Sequence, residues 1–401
     1  MKQSLHRRRS GIATLALIGA LLPAVASAQT GGPSNAQLLQ LLQTQQKQLN
    51  DMRTALQKAQ AKAEKASATA QDAKAPPSKS ILPDYLNIGG LVEVEATEME
   101  AFDQSNTSDV TLSTVEAFIE AKPTDYVFGR ILFLYEDEGT SETIEVDEGF
   151  AVLGNTEKFP AFLKAGKWAM PFGDFDTEMS AAPLTLELGE TKEKAVFVGL
   201  ESHGFSISGY VFNGDTQQTT NSNHIDQFGF AAGFTRMISG AEISIGAGYI
   251  NNIADSDNVT TGLGGSASGL ANYVPAVDVH GALSIGGFTV RGAYMTATRA
   301  FQAGELAFAG GGAEPAAWHT EASYKTAILN KEVTFAVTVQ GTEEALALGL
   351  AESRVGGAVT VSVLEHAAVT VEYLHDTDYG TSDGGTGNTG HTATVKLAVE
   401  F

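Results

Sequence analysis

The stretch that decides the fold ends the chain: His391-Thr-Ala-Thr-Val-Lys-Leu-Ala-Val-Glu-Phe401. Apolar side chains occupy every second position from Val395 to Phe401, and mostly polar ones stand between them. In a β-strand, successive side chains point to opposite faces, so this period of two with one apolar face predicts a strand.

The same alternation recurs through the chain upstream of this stretch. Val333 to Val339 and Trp318 to Tyr324 repeat it, with polar residues between the apolar ones. We count about sixteen such segments, and their bounds are approximate. They lie near residues 86–99, 109–121, 125–136, 143–154, 160–170, 193–201, 203–213, 225–236, 241–252, 272–285, 287–299, 315–328, 331–342, 354–364, 366–377 and 390–401.

Connection lengths separate a soluble sandwich from a membrane barrel, since both show alternating strands. Connections after even-numbered segments are short (122–124, 202, 286, 365), and those after odd-numbered segments are mostly long and polar (100–108, 171–192, 214–224, 253–271, 300–314, 378–389). Outer-membrane barrels show short periplasmic turns and long outer loops. The sequence therefore predicts an all-β transmembrane antiparallel barrel of about 16 strands over residues 85–401, with apolar faces toward lipid and both of its ends in the periplasm.

The first segment indicates export. Basic residues Lys2 and Arg7 to Arg9 precede an apolar run from Ile12 to Leu22, and Ala26-Ser27-Ala28 forms a small-residue cleavage site. This order predicts a signal peptide over residues 1–28. The chain has no cysteine and a formal net charge of −22. Disulfides, thiolate metal sites and thiol catalysis are therefore excluded, and the acidity argues against nucleic acid as a partner.

A helical segment separates the signal peptide from the strands. Residues 36–72 contain neither glycine nor proline, and Leu42, Leu49 and Leu56 recur every seven residues beside a second apolar series. This spacing predicts a periplasmic α-helical coiled coil over residues 34–73, and a homotrimer is one plausible assembly. A single solvated helix is the alternative. Pro76 and Pro77 mark a linker over residues 74–84.

Charged residues at strand centres share one parity, which predicts that they face the lumen. This set comprises Glu93, Glu95, Glu116, Glu120, Arg130, Asp147, Arg291, Glu321 and Lys325, together with Glu145, Glu372 and Lys396. Glu148 breaks the parity, and Lys164 and Lys167 have opposite parity. These exceptions indicate β-bulges, positions near the membrane rim or errors in the assigned register.

The connection 171–192 is the strongest candidate for a filter. It carries Asp174, Asp176, Glu178, Glu187 and Glu190, and its apolar Leu184-Thr185-Leu186 run would be unnecessary in an exposed loop. Folded into the lumen, it would form a constriction whose carboxylates favour cations. The alternative is a solvated outer loop whose acidity only aids solubility.

Other chemistry is weakly indicated. Asp255 to Asn258 resembles part of a calcium loop but lacks the remaining ligands, so a turn is favoured. The dispersed histidines predict no metal site, and nucleophile-elbow and phosphate-loop motifs are absent, so we expect neither a cofactor nor an enzyme. Three alternatives remain besides a solute channel with a filter: a general cation-preferring porin, a barrel anchor whose coiled coil tethers the outer membrane to the cell wall or a partner, and an enzyme lodged in a barrel.

Five stretches carry a family resemblance: Gly166–Gly173, Pro183–Thr191, Tyr210–Asp215, Gly248–Ser256 and Lys396–Phe401. They resemble the LbtU family of outer-membrane siderophore porins, and Leu-Glu-Leu-Gly-Glu-Thr is the most specific piece. The resemblance implies uptake of a ferric siderophore across the outer membrane. The terminal Phe401 also resembles the signal that the outer-membrane barrel assembly machinery recognises. Energy-coupled siderophore receptors have 22 strands and a plug, so the shorter strand count predicts passive transport.

Overall fold

Sixteen antiparallel strands close into one barrel, as the alternating pattern predicts. The computed structural model describes residues 83–137, 143–219 and 224–401. The predicted signal peptide, the coiled coil and nearly all of the linker lie outside these residues. Each barrel strand pairs with its neighbours along the chain, and the last strand pairs with the first.

The described elements follow one another in a simple up-and-down order. They are β1 (Leu86–Glu100), β2 (Asn106–Thr124), β3 (Val127–Glu136), β4 (Glu145–Gly154), β5 (Ala161–Ala169), α1 (Leu184–Gly189), β6 (Lys192–Ser202), β7 (Phe205–Phe212), β8 (Gln227–Ile238), β9 (Ala241–Ile250), α2 (Asp257–Leu263), β10 (Ala276–Ile285), β11 (Phe288–Ala297), β12 (Ala307–Phe308), β13 (Gly311–Gly312), β14 (Ala316–Ile328), β15 (Lys331–Glu343), β16 (Ser353–Leu364), β17 (Ala367–Thr377) and β18 (Thr389–Glu400). The short strands β12 and β13 form a separate hairpin within a loop. Short 3₁₀ turns cover Ile253–Asp255, Gly264–Ser268 and Leu346–Leu348.

Short and long connections lie at opposite ends of the barrel, which we call the turn side and the loop side. Several predicted connections are wrong in their bounds, among them residue 202, which belongs to β6, and two have a clear physical reason. Residues 122–124 belong to β2, and the chain turns at Asp125 and Tyr126. A register shift between Ala121 and Thr124 accommodates Pro123, which has no N–H to donate to a ladder. The connection predicted at 100–108 shortens to 101–105, because β1 and β2 stay paired as far as Glu100 and Asn106.

Apolar side chains cover the outside of the barrel. On β6, Val196 and Val198 are 49% and 56% exposed, whereas Ala195 and Phe197 between them are buried. In a soluble sheet, the apolar face is the buried one. Here the exposed face is aliphatic, which is the arrangement of a barrel surrounded by lipid.

Aromatic side chains mark the two borders of this apolar surface. Tyr294 pairs in register with Trp318, and six residues along the same strands Phe288 pairs with Tyr324. All four are at least one-third exposed. Six residues of strand span about 20 Å, and strand tilt shortens the height slightly. This spacing is close to the apolar band of about 25 Å between the aromatic girdles of membrane barrels.

A bulge explains the predicted parity exception at Glu148. The β3–β4 register shifts between the Leu132–Glu148 pair and the Phe133–Val146 pair. Glu148 therefore shares a face with Leu132, and its carboxylate lies 2.8 Å from Arg130 Nε. The extra residue in the bulged strand thus brings Glu148 to the lumen without turning Glu145 away from it.

Gly166 lies where β4 and β5 approach most closely. Its φ is +141°, and a β-carbon there would overlap the carbonyl oxygen of Gly149 and lie 2.5 Å from Phe150 Cα. We expect Gly166→Ala to lower the free energy of unfolding by about 1–3 kcal/mol, because both the φ angle and the backbone contact oppose a side chain. Urea titration of the refolded barrel in detergent measures the change. Gly265→Ala, where a β-carbon meets nothing within 4 Å, is the control, and equal destabilisation by both would contradict the argument.

The long connections form a packed layer rather than solvated loops. Segments 213–219, 251–275, 298–315 and 344–352 form what we call the loop cap. The last three bury a shared apolar core, and 213–219 joins them through backbone hydrogen bonds to Ala267 and Leu270. Ile253, Leu270 and Leu306 are each at most 2% exposed. The composition of these segments is polar overall, and their few apolar residues are the ones that pack. The cap therefore covers part of the barrel opening on the loop side.

A buried carboxylate lies inside the loop cap. Asp255 is 3% exposed. It accepts hydrogen bonds from Thr216 N (2.6 Å) and Asn252 Nδ2 (3.1 Å). Burial raises its pKa to about 6, although these hydrogen bonds favour the charged form. The predicted turn at 255–258 thus begins a folded segment. The carboxylate of Asp255 accepts hydrogen bonds from other residues of the protein.

The raised pKa of Asp255 makes cap stability depend on pH. The folded pKa lies above the unfolded value, so the folded state binds more protons between about pH 4 and pH 6, and stability falls as pH rises through that window. We expect hydrogen exchange in 251–275 to be faster at pH 7 than at pH 5 after correction for the intrinsic rate. Asp255→Asn should lose this difference, whereas Asp383→Asn, at a partly exposed carboxylate outside the loop cap, should keep it. An unchanged difference in Asp255→Asn would assign the effect to another group.

Candidate functional site

The connection between β5 and β6 lies inside the barrel. Residues 170–191, the inner loop, contact inward-facing side chains of β11, β14, β15, β16, β17 and β1. Its helix α1 packs mainly against β14, β11 and β15. Leu184 and Leu188 of α1 are 1% and 0% exposed. These leucines bury the apolar side of the helix, which holds the inner loop against that wall.

Two buried carboxylates hold the tip of the inner loop, residues 174–182. Glu321 on β14 accepts hydrogen bonds from Thr177 Oγ1 (2.5 Å) and Glu178 N (3.1 Å). Glu372 on β17 accepts the backbone N–H groups of Ser180 and Ala181. Both glutamates are at most 3% exposed. Charged acceptors form stronger hydrogen bonds than neutral ones, so these two side chains fix the height at which the tip crosses the lumen.

The helix end of the inner loop has neutral anchors. Leu184 N donates to Gln340 Oε1 over 2.7 Å, and Thr185 Oγ1 lies 2.7 Å from His319 Nδ1. Gln340 and His319 are both buried on the barrel wall. The Leu184 N–H at the start of α1, which has no helical partner, is therefore satisfied by the wall.

Arginines on the same wall complete the attachment. Arg354 forms a bidentate ion pair with Asp376 (2.8 and 2.9 Å) and also donates to Ala182 O. Arg291 lies 3.8 Å from both Asp176 Oδ2 and Glu321 Oε1. The bidentate geometry fixes the orientation of the Arg354 guanidinium, which donates to Ala182 O just before the chain reverses at Pro183.

The five carboxylates predicted for a constriction occupy two places. Asp174, Asp176 and Glu178 lie at the tip, and the side chain of Asp176 is 85% exposed. Glu187 and Glu190 line a cavity of about 1200 Å³ on the loop side. The chain reverses at Pro183, so the structure does not bring all five together.

The cavity on the loop side, which we call the vestibule, has an acidic lining. It is bounded by β3, β4, β5 and β6 opposite α1. Burial raises the pKa of Glu187 against the opposing effect of Arg354, and burial raises that of Glu190 against Lys192. Both groups are thus easier to protonate than free glutamates. The lining includes eight acidic residues, Glu136, Glu145, Asp147, Glu187, Glu190, Glu193, Asp215 and Asp257, and three lysines, Lys167, Lys192 and Lys194, of which Lys194 shares the outward parity of Val196.

The residues predicted to line the lumen are placed on the inner wall, and several are paired there. Lys396 Nζ lies 3.2 Å from Glu93 and 4.0 Å from Glu95. Arg130 pairs with Glu120 at 2.7 Å. Glu116 pairs in register with Leu134, and Asp147 binds Lys192 Nζ at 2.9 Å. Lys325 lies near the turn side, 3.4 Å from Glu332. Arg291 and Glu321 hold the tip of the inner loop.

Sequence reasoning missed the neutral anchors Gln340 and His319 and the arginine Arg354. Their parity matches the charged lumen residues, so alternation alone could have placed them on the inner face. The parity of Lys164 did not show whether its side chain faces the lumen or the lipid. Its Nζ lies 3.8 Å from the Phe150 ring centre and 4.1 Å from that of Trp168, on the inner wall. Cation–π contacts hold this ammonium group among aromatic side chains.

Residues 83–137, 143–219 and 224–401 contain no helix that is both long and apolar enough to cross a bilayer. The same residues contain no cluster of three or more His, Asp or Glu side chains arranged to hold a metal ion.

Comparisons with known proteins agree with the barrel. No family model matches the chain. The UPF0422 protein lpp3030 of Legionella pneumophila (strain Paris) is 30% identical over 318 residues, which cover 74% of this chain and 59% of that protein. A UPF0422 protein of Coxiella burnetii is 28% identical over 299 residues, which cover 72% of this chain and 64% of that protein. The chain thus spans about three-fifths of the length of these relatives.

Solved structures with the same fold are outer-membrane porins and channels. OprB of Pseudomonas putida matches with a TM-score of 0.55 and 10% identity, and covers 79% of this chain and 94% of its own. The channel DcaP of Acinetobacter baumannii gives 0.55 and 12%, with 79% and 97% covered. An anion-selective porin from Comamonas acidovorans gives 0.54 and 10%, with 79% and 99% covered. At these identities the likeness shows the fold, a porin-like barrel.

Proposed function

We propose that this chain forms a porin-like channel in the outer membrane, through which small solutes diffuse passively with a preference for cations. The observation that carries the proposal is the inner loop: it narrows the lumen from one wall and leaves a vestibule of about 1200 Å³ against the opposite wall. A barrel of sixteen strands is wide enough for an aqueous channel.

The fold alone does not set the ion preference. One structure of the same fold is an anion-selective porin, so selectivity must come from the lining. Here eight acidic residues and three lysines line the vestibule, and Asp176 stands exposed at the loop tip. Rings of carboxylates attract cations and repel anions.

Ferric siderophore uptake is the finer proposal, and it rests on the family resemblance. The Leu-Glu-Leu-Gly-Glu-Thr piece of that resemblance forms α1 and the floor of the vestibule. The vestibule volume of about 1200 Å³ exceeds the usual range for ligand sites, about 300–1,000 Å³, which leaves room for a metal complex. Its acidity favours neutral or cationic ferric complexes over anionic ones.

The surroundings of the barrel follow from the same proposal. The outer-membrane lipid contacts the apolar band, and the assembly machinery would engage the chain at Phe401, whose side chain is 74% exposed. We further propose cleavage after residue 28, a periplasmic coiled coil over 34–73 that supports a homotrimer, a linker over 74–84 and a barrel over 85–401.

Single-channel recording of the mature chain, residues 29–401, in a planar bilayer tests the channel. We expect stable steps whose reversal potential, in a KCl gradient, moves toward the potassium equilibrium value, because the lining carries excess negative charge. A cationic ferric complex should block the current at lower concentration than an anionic one. Absence of steps from a folded barrel would contradict the channel and favour a tether, which deletion of residues 36–72 should then disable. Reversal toward the chloride value would contradict the ion preference alone.

A further inference from the structure

Two histidines on consecutive strands, 16 residues apart in the sequence, meet on the outer face of the barrel. His375 on β17 and His391 on β18 are directly paired in register near the loop side. Their Nδ1 atoms lie 3.1 Å apart, and the ring centres are 4.7 Å apart. Directly paired residues of an antiparallel ladder project on the same face, so both imidazoles stand side by side.

His391 Nδ1 has two close neighbours but can form only one hydrogen bond. The hydroxyl oxygen of Tyr373 lies 2.6 Å from His391 Nδ1, the same atom that approaches His375 Nδ1. A ring nitrogen carries either one proton or one lone pair. It therefore has a single bonding direction for two neighbours, whereas a cation placed among the three atoms would give each of them a bond.

The separation of the two nitrogens matches the bite of a metal ion. Imidazole nitrogens bind zinc at about 2.0–2.1 Å, so two ligands separated by angles between about 90° and the tetrahedral 109° lie about 2.9–3.4 Å apart. The observed separation of 3.1 Å falls within this range. We propose that His375 and His391 bind one divalent transition-metal ion, with Tyr373 and water completing its coordination.

A carboxylate lies next to this pair at the seam where the barrel closes. Glu100 on β1 is paired in register with His391, so His375, His391 and Glu100 form a row across β17, β18 and β1. Glu100 can accept a hydrogen bond from a metal-bound water. Imidazole ligands select zinc, copper or nickel over magnesium and calcium. The site would thus cross-link β17 and β18 beside the closing strand pair, independently of the solute that crosses the pore.

Titration of the untagged, refolded mature chain with ZnCl₂ in detergent, followed by calorimetry, tests this site. We expect one ion per barrel, an affinity at least tenfold weaker in both His375→Ala and His391→Ala, and no change in the control His224→Ala. Tyr373→Phe, which keeps the ring, should weaken binding less. Equal affinity in wild type and both histidine variants, or no binding by wild type at 100-fold excess ZnCl₂ over barrel, would overturn the proposal.

Two further measurements keep the test independent of folding defects. His391→Gln retains a polar side chain of similar length and should fold while binding the ion more weakly through His375 alone. Copper(II) bound to wild type should show nitrogen couplings in its electron paramagnetic resonance spectrum, and His391→Gln should lose one of the two nitrogens. A spectrum with oxygen ligands only would contradict the imidazole site.

Discussion

Glu321→Ala combined with Glu372→Ala should release the tip of the inner loop and raise single-channel conductance several-fold. The two carboxylates accept hydrogen bonds from Thr177, Glu178, Ser180 and Ala181. Each hydrogen bond to a charged group contributes about 1.5–3 kcal/mol. Without these hydrogen bonds, the tip should no longer be held in one position. The helix α1 keeps its buried leucines and its bonds to the wall, so only the tip should move.

Isosteric variants separate the loss of anchoring from the loss of charge. Glu321→Gln with Glu372→Gln removes the same two charges but leaves one acceptor oxygen on each side chain. We therefore expect its conductance to stay close to wild type while cation preference falls slightly. Liposome swelling with sugars of increasing size should show a larger exclusion limit for the alanine pair alone. If the alanine pair folds and conducts like wild type, the tip is held by contacts other than these carboxylates.

The local pattern was sufficient to predict the barrel but not its irregularities. Alternation is a property of neighbouring residues, so strands such as β14 and β18 could be recognised individually from the sequence. Register is set between strands, so the bulge that turns Glu148 inward was visible only as a broken parity. The end of β2 was missed because Pro123 reads as a turn residue, although a shifted register accommodates it.

The candidate site was predicted less completely, for the same physical reason. Charge and an apolar run identified the inner loop as unusual, but its reversal at Pro183 depends on acceptors that lie 134 to 192 residues away in the chain. The buried neutral anchor Gln340 carries no charge pattern. The juxtaposition of His375 and His391 likewise arises from the β17–β18 register, and their spacing in sequence resembles no metal motif.

The location of the filter should be revealed by neutralising its two groups of carboxylates separately. Asp174→Asn, Asp176→Asn and Glu178→Gln together should move the reversal potential strongly toward zero, because Asp176 is largely exposed at the tip. Asp176→Lys should go further and favour chloride, since it places a second cation beside Arg291. Glu187→Gln with Glu190→Gln should have a smaller effect, because the vestibule is wide and retains other carboxylates.

Salt concentration distinguishes the two groups a second time. The screening length is about 10 Å at 0.1 M salt and about 3 Å at 1 M. Charges that act across the open vestibule should therefore lose their influence at 1 M KCl, whereas those beside a narrow passage keep theirs. We expect the tip variants to differ from wild type at both concentrations and the vestibule variants to differ only at 0.1 M. A larger shift from the vestibule pair than from the tip variants at 1 M would place the filter at Glu187 and Glu190, and would make the inner-loop tip a structural support rather than the selective element.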